Sequence, residues 1–192
     1  PAKPTGLKAK YGGVLRSWVR REPSTYDTIA GGGGVDGNTR EATVFERLLE
    51  PDKETYTLPV TNGLAESWAV SSDGLQYTFK LRKVKMHNGE DFTSEDVKFW
   101  YDRILDPPEG VRVSGGGTLR PLIKRISTPD AQTVVFDLFK VDVEFPIAIV
   151  AWPSRMIVPK FLYTEHDGPF PTKERWVGTG PFMFADWRRE SL

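Results

Sequence analysis

The dipeptide Asp73-Gly74, set between two runs of different character, fixes the local geometry of this chain more tightly than any other feature. Aspartate tolerates and glycine supplies the positive φ that a tight hairpin turn needs. Before the turn runs Leu64-Ala65-Glu66-Ser67-Trp68-Ala69-Val70. After it, Leu75, Tyr77, Phe79 and Leu81 alternate with Gln76, Thr78, Lys80 and Arg82. A period of two puts one face on a core and the other in water, so the sequence predicts a hairpin whose second strand is half buried. A connector then leads to a helix. Thr93 is its N-cap, Asp96 stands three residues on as in a capping box, and Glu95 with Asp96 places negative charge on the positive helix end. Asp106-Pro107-Pro108 stops it. Val97, Trp100, Tyr101 and Ile104 fall on one apolar stripe, with Lys98, Asp102 and Arg103 on the other side.

Three segments of this unit and one beyond it carry a resemblance. Leu64-Ala65-Glu66-Ser67-Trp68, Asp73-Gly74-Leu75-Gln76-Tyr77-Thr78-Phe79-Lys80-Leu81-Arg82 and His87-Asn88-Gly89-Glu90-Asp91-Phe92-Thr93-Ser94-Glu95-Asp96-Val97 occur in one order with close spacing, and Gly178-Thr179-Gly180-Pro181-Phe182 follows near the end. Together they resemble the extracellular solute-binding proteins of oligopeptide, dipeptide and nickel ABC importers. The resemblance runs from Gly12 to about Trp187 and implies a mixed α/β (α+β), periplasmic-binding-protein-like fold whose two lobes close on a ligand about a hinge. Transferred to this numbering, it implies first-lobe material at 1–41 and 143–192 and an inserted second domain at 42–142. Proteins of this kind run on well past the length of this chain, so it reads as the N-terminal portion. A possible association with a missing C-terminal portion is expected, because a cut sheet leaves an unpaired edge and apolar surface.

Composition narrows the classes of function. Lys plus Arg and Asp plus Glu number 26 each, so no net field attracts nucleic acid, an anionic membrane or a strongly charged substrate. Hydrophobic residues make up 39%, enough for a globular core in one or two domains. Zero cysteines exclude a disulfide frame, a thiolate metal site and a cysteine nucleophile. No run approaches the ~18 apolar residues of a membrane span, and no signal-peptide core is present. The sequence starts at Pro1 with no Met, compatible with a removed export signal or with a cut polypeptide.

Elsewhere the signals are shorter. Val14 to Val19, flanked by Gly12-Gly13, reads as a strand, and Glu22-Pro23-Ser24-Thr25-Tyr26-Asp27 as a turn-rich connector. From Asn38 to Leu49, the residues Ala42, Val44, Phe45, Leu48 and Leu49 give a helical stripe that Pro51 ends. Glu109 to Gly117 is a charged, glycine-rich loop. Leu122–Ile126, a turn at Thr128-Pro129-Asp130, and the alternation of Val134, Phe136 and Leu138 predict a second hairpin. Ile157-Val158-Pro159-Lys160 reads as a short strand or bend, and Gly178 to Phe182 as a turn entering a strand.

No catalytic constellation is present. There is no Gly-x-Ser-x-Gly elbow, and Glu95 and Asp96 are accounted for by the helix start without acid–base chemistry. His87 and His166 have no metal-ligand spacing and read as solvent or turn histidines. Tyr77, Phe79, Trp100 and Tyr101 are spaced as core. The run Gly31-Gly32-Gly33-Gly34 must be a loop, either a flexible surface segment or a backbone that approaches a ligand closely; no Gly-Lys-Ser/Thr follows to make it a phosphate loop. Trp152 next to Pro153 is either a core tryptophan or the wall of a cleft. The resemblance places Gly31–Gly34 on the ligand cleft, takes Trp152 and Pro153 past the ligand between lobes, and lets Arg112 and Val113 reach it from the second lobe. It implies no cofactor and no enzyme activity, a peptide or similar solute as ligand, and permease subunits in the membrane as partners, outside the cytoplasm. The solute itself, peptide, sugar or chelated nickel, stays open. A hydrolase on a similar scaffold and a structural or partner-binding fragment are the alternatives.

Overall fold

The computed structural model describes residues 12–14, 16, 42–50, 63–111, 113, 115–150, 155–164 and 176–186. In chain order its elements are β1 (Ala65–Val70), β2 (Gln76–Leu81), α1 (Ser94–Leu105), α2 (Gly116–Leu119), β3 (Ile123–Asp130), β4 (Thr133–Leu138), α3 (Phe145–Val150) and α4 (Phe161–Thr164). The strands form one antiparallel sheet in the order β1-β2-β4-β3, and α1 packs on β3 and β4. Two consecutive hairpins therefore meet along the β2–β4 seam, where Tyr77 faces Phe136 and Phe79 faces Val134.

The first hairpin forms as its turn chemistry dictates. Gly74 adopts φ 70°, its N–H donates to the Ser71 carbonyl at 2.9 Å, and the Asp73 carboxylate accepts from the Ser71 hydroxyl and from the Leu75 N–H. The Ser71 hydroxyl bond holds the Asp73 carboxyl below the usual carboxylate range. On the core face, Tyr77, Phe79 and Leu81 are buried while Gln76 and Lys80 are exposed, matching the period of two. Val97, Trp100, Tyr101 and Ile104 of α1 are all buried, and the Asp96 carboxylate accepts from the Thr93 backbone N–H at 2.9 Å. Between the layers sits Phe136, its ring edge-on to Phe79, Tyr101 and Phe145 at centroid distances of 5.6, 5.2 and 5.5 Å. Edge-to-face pairs of this kind add about 0.5–1.5 kcal/mol each to the burial itself.

The second hairpin turns later than the sequence suggests. β3 runs through Thr128 and Pro129 to Asp130, and the turn is Ala131-Gln132. Pro129 is tolerated because β3 is the edge strand, and the register is irregular between Ser127 and Asp130. Asp130 then caps the turn, accepting from the Gln132 N–H at 2.8 Å and from the Thr133 hydroxyl at 2.7 Å.

A second correction concerns the segment before Pro51. Among the described residues of that segment only 42–44 are helical; from Phe45 to Leu49 the backbone leaves the helix. Its carbonyls serve distant segments instead. Thr43 O accepts from Phe182 N, Val44 O from Gly180 N, Glu46 O from Ile157 N, Arg47 O from Leu64 N and Leu48 O from Ala65 N, all at 2.8–3.0 Å. With these carbonyls committed to distant N–H groups, tertiary pairing takes the place of the helical ladder from Phe45 on, while Val44, Phe45, Leu48 and Leu49 stay buried. Arg47 also forms an isolated antiparallel bridge with Met156.

The glycine-rich stretch at 109–117 is part turn and part helix, since α2 starts at Gly116 with Gly116 and Leu119 buried. Residues 183–186 carry no regular strand. The strand expected over Val14–Val19 lies mostly outside the described residues. No helix among the described residues is long and apolar enough to cross a membrane.

Candidate functional site

Two of the quoted signature segments meet in space. The His87 backbone N–H donates to the Gly178 carbonyl at 2.9 Å, and the Gly178 N–H donates to His87 Nδ1 at 3.3 Å. His87 Nε2 lies 2.8 Å from the Gly180 carbonyl. A carbonyl only accepts, so Nε2 carries the proton and Nδ1 is the acceptor. The histidine is half-buried in a turn, and it clasps the Gly178–Gly180 segment from one side. From the other side comes the backbone of Val44: a Cβ on Gly178 would sit 2.1 Å from the Val44 carbonyl oxygen, and one on Gly180 2.6 Å from its carbon. Glycine is required here because two backbones touch.

Asp96 links the start of α1 to the returning chain. Besides Thr93, its carboxylate accepts from the Lys160 backbone N–H at 3.0 Å, and the residue is buried. The helix-start reading accounts for only half of this carboxylate's work.

A third contact joins the loop before α2 to the segment after Pro153. Arg155 is 1% exposed and donates from Nη2 to the Gly115 carbonyl at 3.2 Å. Gly115 adopts φ 76°, and a Cβ there would lie 2.7 Å from Nη2. Burial pushes the Arg155 guanidinium down from its ordinary value and the nearby Tyr101 phenol up.

Of the residues singled out from the sequence, Val113 is described. It is half-buried and packs against the main core. Gly31, Gly32, Gly33, Gly34, Arg112, Trp152 and Pro153, together with His166, lie outside the described residues. The neighbours of the two candidate segments, Gly115 and Arg155, are in contact. Tyr77, Phe79, Trp100 and Tyr101 are core, as their spacing predicts. Sequence reasoning passed over Arg155, although a single cation entering the apolar run Met156-Ile157-Val158 is a visible signal.

Two surface grooves flank this framework. One, of about 450 Å³, lies along α1 and is lined by Phe99, Asp102, Arg103, Leu105, Asp106 and Pro108. The other, of about 440 Å³, lies over the sheet near Asp73, Gln76, Arg125 and Asp137. Among the described residues no group of three or more His, Asp or Glu side chains is placed to hold a metal ion.

Comparison with known proteins gives this framework its family. Residues 59–192 match the family described as bacterial extracellular solute-binding proteins, family 5 Middle. Di/tripeptide-binding protein 1 of Pseudomonas aeruginosa is 34% identical over 194 residues, covering 88% of this chain and 34% of its own length. Heme-binding protein A of Haemophilus influenzae is 32% identical, covering 82% of this chain and 31% of its own. Among solved structures, the PBP AgaA from A. tumefaciens, in complex with agropinic acid, superposes with a TM-score of 0.75 at 35% identity, over 88% of this chain and 32% of that one. The chain thus spans about a third of the length of the relatives it matches. This chain belongs to the bacterial extracellular solute-binding proteins of family 5.

Proposed function

We propose that this chain is part of the substrate-binding component of an ABC importer, capturing a peptide or similar small solute in the periplasm or outside the cell and delivering it to membrane permease subunits. The observation that carries this reading is the family match over residues 59–192. Relatives named for di- and tripeptides, for heme and for agropinic acid share the framework, so the solute class is set by residues outside the common core. Capture by closure needs no covalent step, and the chain acts as a binder and not an enzyme. It is soluble or held at the membrane by a lipid anchor.

Within this reading, residues 42–142 form the inserted domain and 1–41 with 143–192 belong to the first lobe. The four strands among the described residues fall between Ala65 and Leu138, which supports that division. Gly31–Gly34, Arg112, Val113, Trp152 and Pro153 face the solute. Support comes from the contact of Gly115 with Arg155, two residues on from Val113 and from Pro153 respectively.

The test is a thermal-shift screen of the longest polypeptide the gene encodes against di- and tripeptides, heme and opines, with calorimetry on each responder. Micromolar binding of one class without turnover supports the proposal. Cleavage of a peptide or glycoside, seen as product by mass spectrometry, overturns it in favour of the hydrolase.

A further inference from the structure

Arg155 is the only Lys or Arg buried among the described residues, and most of its donors are unused. Nη2 donates to Gly115, while Nε and Nη1 are buried with no hydrogen-bond partner. The Tyr101 hydroxyl, fully buried on α1, has no partner either. The two groups are near enough for each to influence the other's ionisation. No carboxylate among the described residues pairs with the guanidinium.

A guanidinium presents donors and no acceptor, and it stays charged even when buried. Buried donors left unmade, two of the three on a cation, cost free energy on both counts. A water would answer the hydrogen bonds but not the charge. A carboxylate answers both, because its two oxygens match the planar fork of the guanidinium and can also accept from a phenol. Gly115 lets the loop close tightly on this point, since any side chain there would meet Nη2.

We propose that Arg155 and Tyr101 form a carboxylate socket beneath the Gly115 loop. The carboxylate comes either from a small free acid or from the C-terminus of a captured peptide, and the second source rests on the function proposed above.

The experiment measures the melting temperature of this chain with sodium formate and sodium acetate against sodium chloride at equal ionic strength, then with alanyl-alanine against its C-terminal amide. Formate and acetate are expected to raise the melting temperature where chloride does not. R155M is expected to abolish the rise, and Y101F to fold normally yet need about tenfold more formate for the same shift, as loss of one bond to a charged acceptor implies. A response to alanyl-alanine that its amide lacks assigns the carboxylate to peptide. Equal responses to both, with formate active, assign it to a free acid. No response beyond chloride, or one undiminished in Y101F, overturns the socket. Should R155M not fold, Y101F decides alone. Peptide binding with inert formate refutes the socket and leaves the transport reading intact.

Discussion

Gly178→Ala tests the close approach on which the His87 clasp depends. The new Cβ would lie 2.1 Å from the Val44 carbonyl oxygen and 2.6 Å from Phe45 Cδ1, whereas real Cβ atoms essentially never come under 3.0 Å. The segment must therefore retreat by at least 0.9 Å, the difference between those distances. Neither neighbour is the free end of a flexible side chain, so the strain is not relieved by a rotamer change. Four hydrogen bonds at 2.8–3.0 Å are at risk: Gly180 N to Val44 O, Phe182 N to Thr43 O, His87 N to Gly178 O, and His87 Nε2 to Gly180 O. Retreat from Val44 stretches the first two past 3.5 Å and drives the segment onto His87 on the opposite side, bending the other two out of line, so that all four cease to count as bonds. At about 0.5–1.5 kcal/mol each, their loss destabilises by roughly 2–6 kcal/mol. The reduced freedom of the unfolded chain returns about 0.4–1 kcal/mol of this. The assay is urea unfolding followed by tryptophan fluorescence, where a slope of about 2 kcal/mol/M turns the net loss into a midpoint shift of about 0.5–3 M. Gly117→Ala is the control, because nothing lies within 4 Å of its Cβ position and it sits inside α2. It should be neutral or stabilising by up to about 1 kcal/mol. A Gly178→Ala variant within about 0.5 kcal/mol of the wild type, the scatter of inert surface changes, would refute the steric argument.

Other perturbations follow from the same contacts. Asp96→Ala orphans the Thr93 and Lys160 N–H groups and should cost about 2–4 kcal/mol in urea unfolding; a change below about 0.5 kcal/mol would mean water replaces the carboxylate freely. Phe136→Ala empties the point where Phe79, Tyr101 and Phe145 converge and should cost about 3–5 kcal/mol, with a fall in near-ultraviolet circular dichroism as the second readout. Asp73, Asp130 and Asp137 have carboxyls held below their ordinary value, through hydrogen bonds from Ser71, Thr133 and Gln76 respectively. Depressed folded values give stability that is fully present above the unfolded value of about 4 and lost as pH falls through the folded values. The urea midpoint should therefore hold from pH 6 to pH 5 and drop below about pH 4, and Asp137→Asn should flatten the drop; an unchanged acid limb in that variant would remove Asp137 from the account.

The parts of this fold that sequence reasoning reaches are those whose causes are local. Asp73-Gly74, the alternation after it and the Thr93–Asp96 cap each specify their geometry within a few residues, and the structure has all of them. The Thr128-Pro129-Asp130 turn failed because proline also fits an edge strand, and edge position is a property of the whole sheet. The helix expected through Leu49 failed for the same kind of reason: its carbonyls belong to partners as far away as Phe182. The site was legible in outline only. A glycine pair at 178 and 180 signals a close backbone approach, but its partners, His87 and Val44, are 91 or more residues away. Arg155 was visible as a misplaced cation, yet its relation to Tyr101 needs the packed helix.

The segment at 43–48 also sets an order of events. β1 and β2 are joined by a turn of a few residues and can pair as soon as both have left the ribosome. The carbonyls of Thr43, Val44 and Glu46 must wait for Ile157, Gly180 and Phe182, a loop closure more than a hundred residues long. Such contacts carry the larger entropic cost and form late. Until then the apolar side chains Val44, Phe45, Leu48 and Leu49 have no complete burial site, so a growing chain holds a sticky stretch ahead of its hairpin while that hairpin is already closed. For a polypeptide of an exported family, that interval is when a holding chaperone finds most to bind.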